Sequence, residues 1–160
     1  MHTGSLIMGI TGDADRLDAA TISDSVNSAA RIENLTKHYG ASILLSETCL
    51  DKLDNRAAFN TRYLGEVQVK GKREAIKIYE CFDGDLPKTI ELKLATLTDF
   101  ESGVEHYFSQ AFDLAQAAFE KVLQQNPADK TAQLFLTKTK WLAEAGVAED
   151  WTGVEMMEKQ

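Results

Sequence analysis

Apolar and polar positions along this chain follow two rhythms, with a change near residue 84. Before it, short strand-like runs and one long amphipathic stretch are separated by turn residues; after it the apolar period is helical. Leu6–Ile10 and Thr21–Ser23 read as strands joined by a turn around Gly12–Asp15, where glycine and aspartate accept tight backbone geometry. Val26, Ala29, Ala30, Ile32 and Leu35 then recur at helical spacing and predict a buried stripe on a helix capped by Ser23 or Asp24 and stopped at Gly40. The run SILLSE predicts a short buried strand, with Ser46 capping a small helix through Leu53. Arg62–Val69 and Ala75–Phe82 predict a hairpin turning at KGKR. This is an α+β pattern.

Around Gly84–Lys88, Pro87 removes a backbone donor and Asp83 and Asp85 favour an exposed connection. The expected division is therefore residues 1–83, a linker at 84–96, and a helical segment at 97–160. Phe100, Val104, Tyr107 and Phe108 form one stripe, and Phe112, Ala115, Phe119, Val122 and Leu123 another, so two helices should pack as a hairpin. Gly103, Ala115, Phe119 and Pro127 fall at spacings similar to one tetratricopeptide repeat, with Ala132–Leu142 supplying the next helix; His106 stands where the repeat usually has a tyrosine, and Tyr107 follows it. A single repeat does not bury its own faces, so this segment is expected to pack on something else.

Composition narrows the classes. With 160 residues, 44% hydrophobic and 26% charged, the chain has the make-up of one ordinary globular domain or two small ones. A formal charge of −8 argues against nucleic acid as a partner, because that grip relies on basic surface. No apolar run is long enough to span a bilayer, and the N-terminus lacks a signal core, which reads as a cytoplasmic chain. Cys49 and Cys81, widely spaced and outside any CxxC pairing, read as reduced, packed thiols. His2, His38 and His106 are too scattered for a metal cluster. Asp13, Asp15 and Asp18 read as solvated turn acids, because their loop lacks the glycine and distal glutamate of a calcium loop.

The most informative stretch is Asp24–Leu35, DSVNSAARIENL, which sets Asn27 and Arg31 one helical turn apart just beyond a helix start. An amide and a permanent cation projecting into one space suit phosphate chemistry, although such spacing alone also describes a solvated helix face. Lys70, in VKGK, is by itself an ordinary hairpin lysine.

The neighbours change the weighing. HTG, then DAATISDSVNSAAR, then YGASILLSE, then LGEVQVKGK together resemble the C-terminal half of a class III adenylate/guanylate cyclase catalytic domain, over roughly Met1–Phe82. The resemblance implies a partial ferredoxin-like cyclase domain followed by a helical hairpin or tetratricopeptide-like segment. In that family the ATP 3′-hydroxyl attacks the α-phosphate, pyrophosphate leaves, and the site is shared between two homologous subunits with two Mg or Mn ions. The resemblance gives Asn27 the ribose, Arg31 the charge developing on the α-phosphate, and Lys70 the terminal phosphates.

Two departures bear on the site. Ala20 stands where many bacterial members carry the purine-reading threonine or aspartate, leaving Thr21 as a candidate for that contact. Ser23 replaces the usual glycine before Asp24 and is expected to alter the strand-to-helix turn. By the family layout, the two metal-binding aspartates and the adenine-reading lysine fall before Met1, so no metal ligand is identified in this chain. It is therefore expected to be a fragment inactive alone, working on ATP or GTP in a homodimer or with a complementing cyclase chain. The alternative is a non-catalytic signalling or oligomerisation module whose helical tail binds a protein partner.

Overall fold

A computed structural model describes residues 1–12, 17–69 and 75–157. Strands β1 (Ile7–Gly12) and β2 (Leu17–Ile22) pair antiparallel, Ile7 opposite Ile22, as a two-stranded ribbon. The expected hairpin is thus present with longer strands; most of its turn lies outside the described residues.

Helix α1 (Asp24–Tyr39) starts where Ser23 Oγ accepts the Val26 N–H at 3.1 Å and ends at Gly40, whose φ of 65° is the left-handed conformation of a helix C-cap. Its buried side is narrower than the sequence suggests. Ser28, Ile32 and Tyr39 are buried, whereas Val26 and Ala30 are exposed. The first turn of α1 projects beyond the core, so apolar periodicity there is not matched by burial.

A second, four-stranded sheet has the order β3–β5–β4–β6. Strand β3 (Ile43–Ser46) and β4 (Thr61–Val69) flank β5 (Ala75–Cys81) antiparallel. Ser46 caps α2 (Glu47–Leu50), a helix ending three residues before the expected Leu53. In β4 the register slips between Tyr63 and Gly65. Gly65 takes φ 122° there, and a Cβ on it would lie 2.6 Å from the Phe108 ring. Sequence reading missed β6 (Glu155–Met157), which returns from the end of the chain to pair parallel with β4, Glu155 opposite Val67.

Within the expected 84–96 connection the chain forms α3 (Pro87–Ala95), with Pro87 in the first turn where no intrahelical N–H is required. Three longer helices follow: α4 (Leu97–Phe108), α5 (Phe112–Gln125) and α6 (Lys130–Ala145). The predicted helical hairpin is the α4–α5 pair, and as expected it packs on another part of the chain. One apolar cluster joins Ile32 of α1, Leu44 of β3, Leu64 of β4 and Ile78 of β5 to Phe100, Phe119 and Phe135 of the three helices. The rings of Phe119 and Phe135 stack at 5.3 Å, with Phe100 edge-on to both. Burying each such ring contributes roughly 1.5–3 kcal/mol. A smaller cluster of Leu45, Leu50 and Cys81 forms beside α2. Both cysteines are free, and burial pushes the Cys81 thiol up.

Candidate functional site at the start of α1

Ser23 precedes α1 with φ −166°, ψ 158°, an extended conformation open to any residue. Serine in place of the expected glycine therefore costs no backbone strain, and its hydroxyl supplies a cap that glycine lacks. The turn into α1 is made rather than disturbed by this substitution, contrary to the sequence expectation.

The Asn27 N–H donates to the Ser23 carbonyl at 3.3 Å, placing Asn27 in the first helical turn. Its residue is exposed, and Arg31, one turn later, is partly exposed. Burial of Ser28 and Ile32 beside them fixes the rotation of the helix about its axis. Asn27 and Arg31 consequently share a face clear of the core. No described residue forms an ion pair with Arg31. The helix N-terminus adds its own positive end to this region, favourable for an anionic group.

The far end of α1 is anchored in the helical tail. Thr131 Oγ1 donates to the Tyr39 carbonyl at 2.9 Å, and a Cβ on Gly40 would meet the Lys130 side chain at 2.6 Å. Tyr39 packs its ring against Phe135, and burial drives its hydroxyl pKa upward. Beside it His38 Nε2 lies 3.5 Å from Glu155 of β6, and Lys138 contacts the same carboxylate. Burial pulls the Lys138 ammonium down to about 8 despite that carboxylate.

The structure brings Asn27 and Arg31 together. Thr21 stands near the end of β2, paired in register with Met8, and Ala20 with Gly9. Lys70 lies outside the described residues, just past the last residue of β4. Among the described residues no group of three or more His, Cys, Asp or Glu could hold a metal ion. The described donor set therefore does not fit the family's metal pair.

Sequence reading missed a buried charge network that ties the sheet to the tail. Arg62 of β4, 1% exposed, donates through Nε to Glu80 of β5 at 2.5 Å and through both terminal nitrogens to Asp129 at 2.7 and 2.9 Å. Lys93 of α3 donates to Glu80 at 2.5 Å and to Asp85 at 2.6 Å. Burial alone would lower the Arg62 pKa, but the Asp129 hydrogen bonds and the Glu80 charge raise it. Burial would likewise raise Asp129, and Arg62 instead holds it below the ordinary carboxylate value. This network has no distinct signal in the sequence, because Arg62 and Glu80 sit in strands that also carry the more exposed charges Glu66 and Lys77.

Comparison with known proteins agrees with this architecture. Residues 1–82 match the family described as the adenylate and guanylate cyclase catalytic domain. An adenylate cyclase of Anabaena cylindrica is 46% identical over 81 residues, covering 50% of this chain and 16% of that protein. Adenylate cyclase 1 of Rhizobium meliloti is 36% identical over 80 residues, 50% of this chain and 12% of its own length. The terminal-differentiation-specific adenylate cyclase of Dictyostelium discoideum is 30% identical over 139 residues, 86% of this chain and 6% of that protein. That last alignment is longer than residues 1–82, so the likeness reaches well into the helical tail. The chain thus spans a small part of each of these relatives. With a matching family pattern over its first half and the capped helix carrying Asn27 and Arg31 within it, the chain belongs to the adenylate and guanylate cyclase catalytic domain family.

Proposed function

We propose that residues 1–82 supply the asparagine, arginine and lysine half of a nucleotide cyclase site, acting on ATP to form cyclic AMP and pyrophosphate in a homodimer or with a complementing chain. The observation that carries the reading is the pairing of Asn27 and Arg31 on one face near the start of a helix whose far end is anchored in the tail. In the reaction the ribose 3′-oxygen bonds to the α-phosphorus, the bond to the pyrophosphate oxygen breaks, and the 3′-hydroxyl proton is lost. Asn27 is suited to hold the ribose by hydrogen bonds. Arg31 offers a fork of donors to the α-phosphate oxygens as their charge changes, where preorganised donors act most strongly. Lys70, a flexible point charge, is assigned to the terminal phosphates and Thr21 to the base.

The Mg or Mn ions used in this family find no ligand cluster among the described residues. On this reading their carboxylates come from outside those residues or from the complementing chain, and this chain is a fragment inactive alone. The test is cyclic AMP production from ATP and manganese by the chain mixed with a partner cyclase subunit carrying both aspartates. Arg31→Ala should lower turnover by about 2–4 kcal/mol of barrier, as loss of one transition-state donor does. Turnover unchanged by that substitution overturns the assignment.

A second reading, a protein-binding role for the tail, is favoured by Trp141 and Leu114, which are 65% and 56% exposed on the helical segment.

A further inference from the structure

We propose that the open cavity between β4, α4 and the returning C-terminal segment binds an organic ammonium ion, a positive charge carried on an apolar carbon frame. The cavity measures about 770 Å³, within the span of small-molecule sites. Tyr63, Val104 and Phe108 give it an apolar lining, and the chain at 152–154 closes one side. The Tyr63 and Phe108 rings lie 6.1 Å apart and tilted by 44°, and both border the cavity, which sets aromatic surface beside the place a cation would take.

Charge selects the occupant. Glu66 of β4 and Glu101 and Glu105 of α4 line the same cavity, while among the described residues no Lys, Arg or His does. Glu101 and Glu105 stand one helical turn apart, so their like charges fall on one face. None of the three forms an ion pair or side-chain hydrogen bond with a described residue. Elsewhere several buried or half-buried carboxylates are met by cations: Glu80 by Arg62 and Lys93, Asp85 by Lys93, Glu155 by Lys138. This cavity thus collects negative potential beside aromatic rings, with no cation among its described lining residues. An anion is repelled by that rim. A neutral apolar ligand leaves the carboxylates without a counter-charge. A bare divalent cation gains nothing from the aromatic rings, and these carboxylates do not form a metal-holding group. An alkylammonium ion satisfies both parts, with its N–H groups on the carboxylates and its methylenes on the rings.

Isothermal titration of the full chain with spermidine at low ionic strength tests the proposal. Saturable binding at one site is expected, weakened at least tenfold in the double variant Glu101→Gln/Glu105→Gln, whose substitutions lie on exposed positions. Hexylammonium should compete with spermidine, and hexanoate should not. Because the chain carries a net charge of −8, a control variant, Glu91→Gln/Glu144→Gln, removes two exposed acids from other surfaces. Absence of saturable binding overturns the proposal. So does equal weakening in the control variant, or competition by ammonium chloride as strong as by hexylammonium, since either would make the effect one of overall charge.

Discussion

The guanidinium of Arg62 lies 4.0 Å above the centre of the Phe100 ring, so a cation from the cyclase sheet rests on an aromatic from the helical tail. Its edge is occupied by Glu80 and Asp129 and its face by the ring, leaving no side open to water.

Removing one charged partner should therefore cost more than removing both. Asp129→Ala leaves a buried guanidinium short of its counter-ion and also deletes the N-cap of α6, whose Ala132 N–H donates to Asp129 at 3.1 Å. A loss of about 3–5 kcal/mol is expected, measured by urea denaturation. The double replacement Arg62→Met/Asp129→Asn should cost less than Asp129→Ala, because the cap acceptor of α6 is kept and Glu80 retains Lys93 as its counter-ion.

The same pair sets an acid limit. Asp129 titrates below its ordinary 3.8 when folded, so the folded state takes up its proton later than the unfolded chain does. Its contribution is fully present above that value and drains away as the pH falls through the lower, folded one. Thermal unfolding followed from pH 6 downward should show a steepening decline below about pH 4, shallower in Asp129→Asn, which starts less stable.

Shortening the chain after Asp85 should abolish the native fold rather than release a working half. Phe100 and Asp129 would be lost, exposing Leu64 and Ile78 and stranding Arg62. Near-ultraviolet circular dichroism of residues 1–85 should lack native tertiary signal; a cooperative melt with native signal would refute this.

Gly103→Ala tests the packing of the helical hairpin. A Cβ at position 103 would approach Phe119 ring carbons to 2.7, 2.9 and 3.0 Å. Overpacking of about 1–3 kcal/mol should outweigh the gain of about 1 kcal/mol in helix propensity, lowering the calorimetric melting temperature.

At the start of α1, Ser23→Ala should destabilise by about 1 kcal/mol, whereas Ser23→Gly should cost only a few tenths. Chemical denaturation of the two variants side by side checks the order.

Much of this molecule is legible in its sequence because local chemistry decides it. Ser23, Gly40 and Ser46 mark helix ends by capping alone, and the β4–β5 hairpin follows from alternation. Asn27 and Arg31 are placed by helical spacing as soon as α1 is recognised. What escapes depends on distant partners. Nothing local marks Arg62 as buried, because its partner Asp129 comes from the far side of the chain, and β6 has too few residues for alternation to be seen. Val26 and Ala30 look like core because periodicity reports amphipathicity, not which turns of a helix have something to pack against.

Because β6 borders β4 although it lies near residue 157, a nascent chain leaving the ribosome carries β4 with one flank unpaired through the synthesis of all the tail helices. During that interval the open backbone row on β4 is a template for any extended segment nearby, including a neighbouring nascent copy. Slow translation through 130–155 would lengthen this exposure, so expression yield should depend on the speed at which residues 130–157 are made.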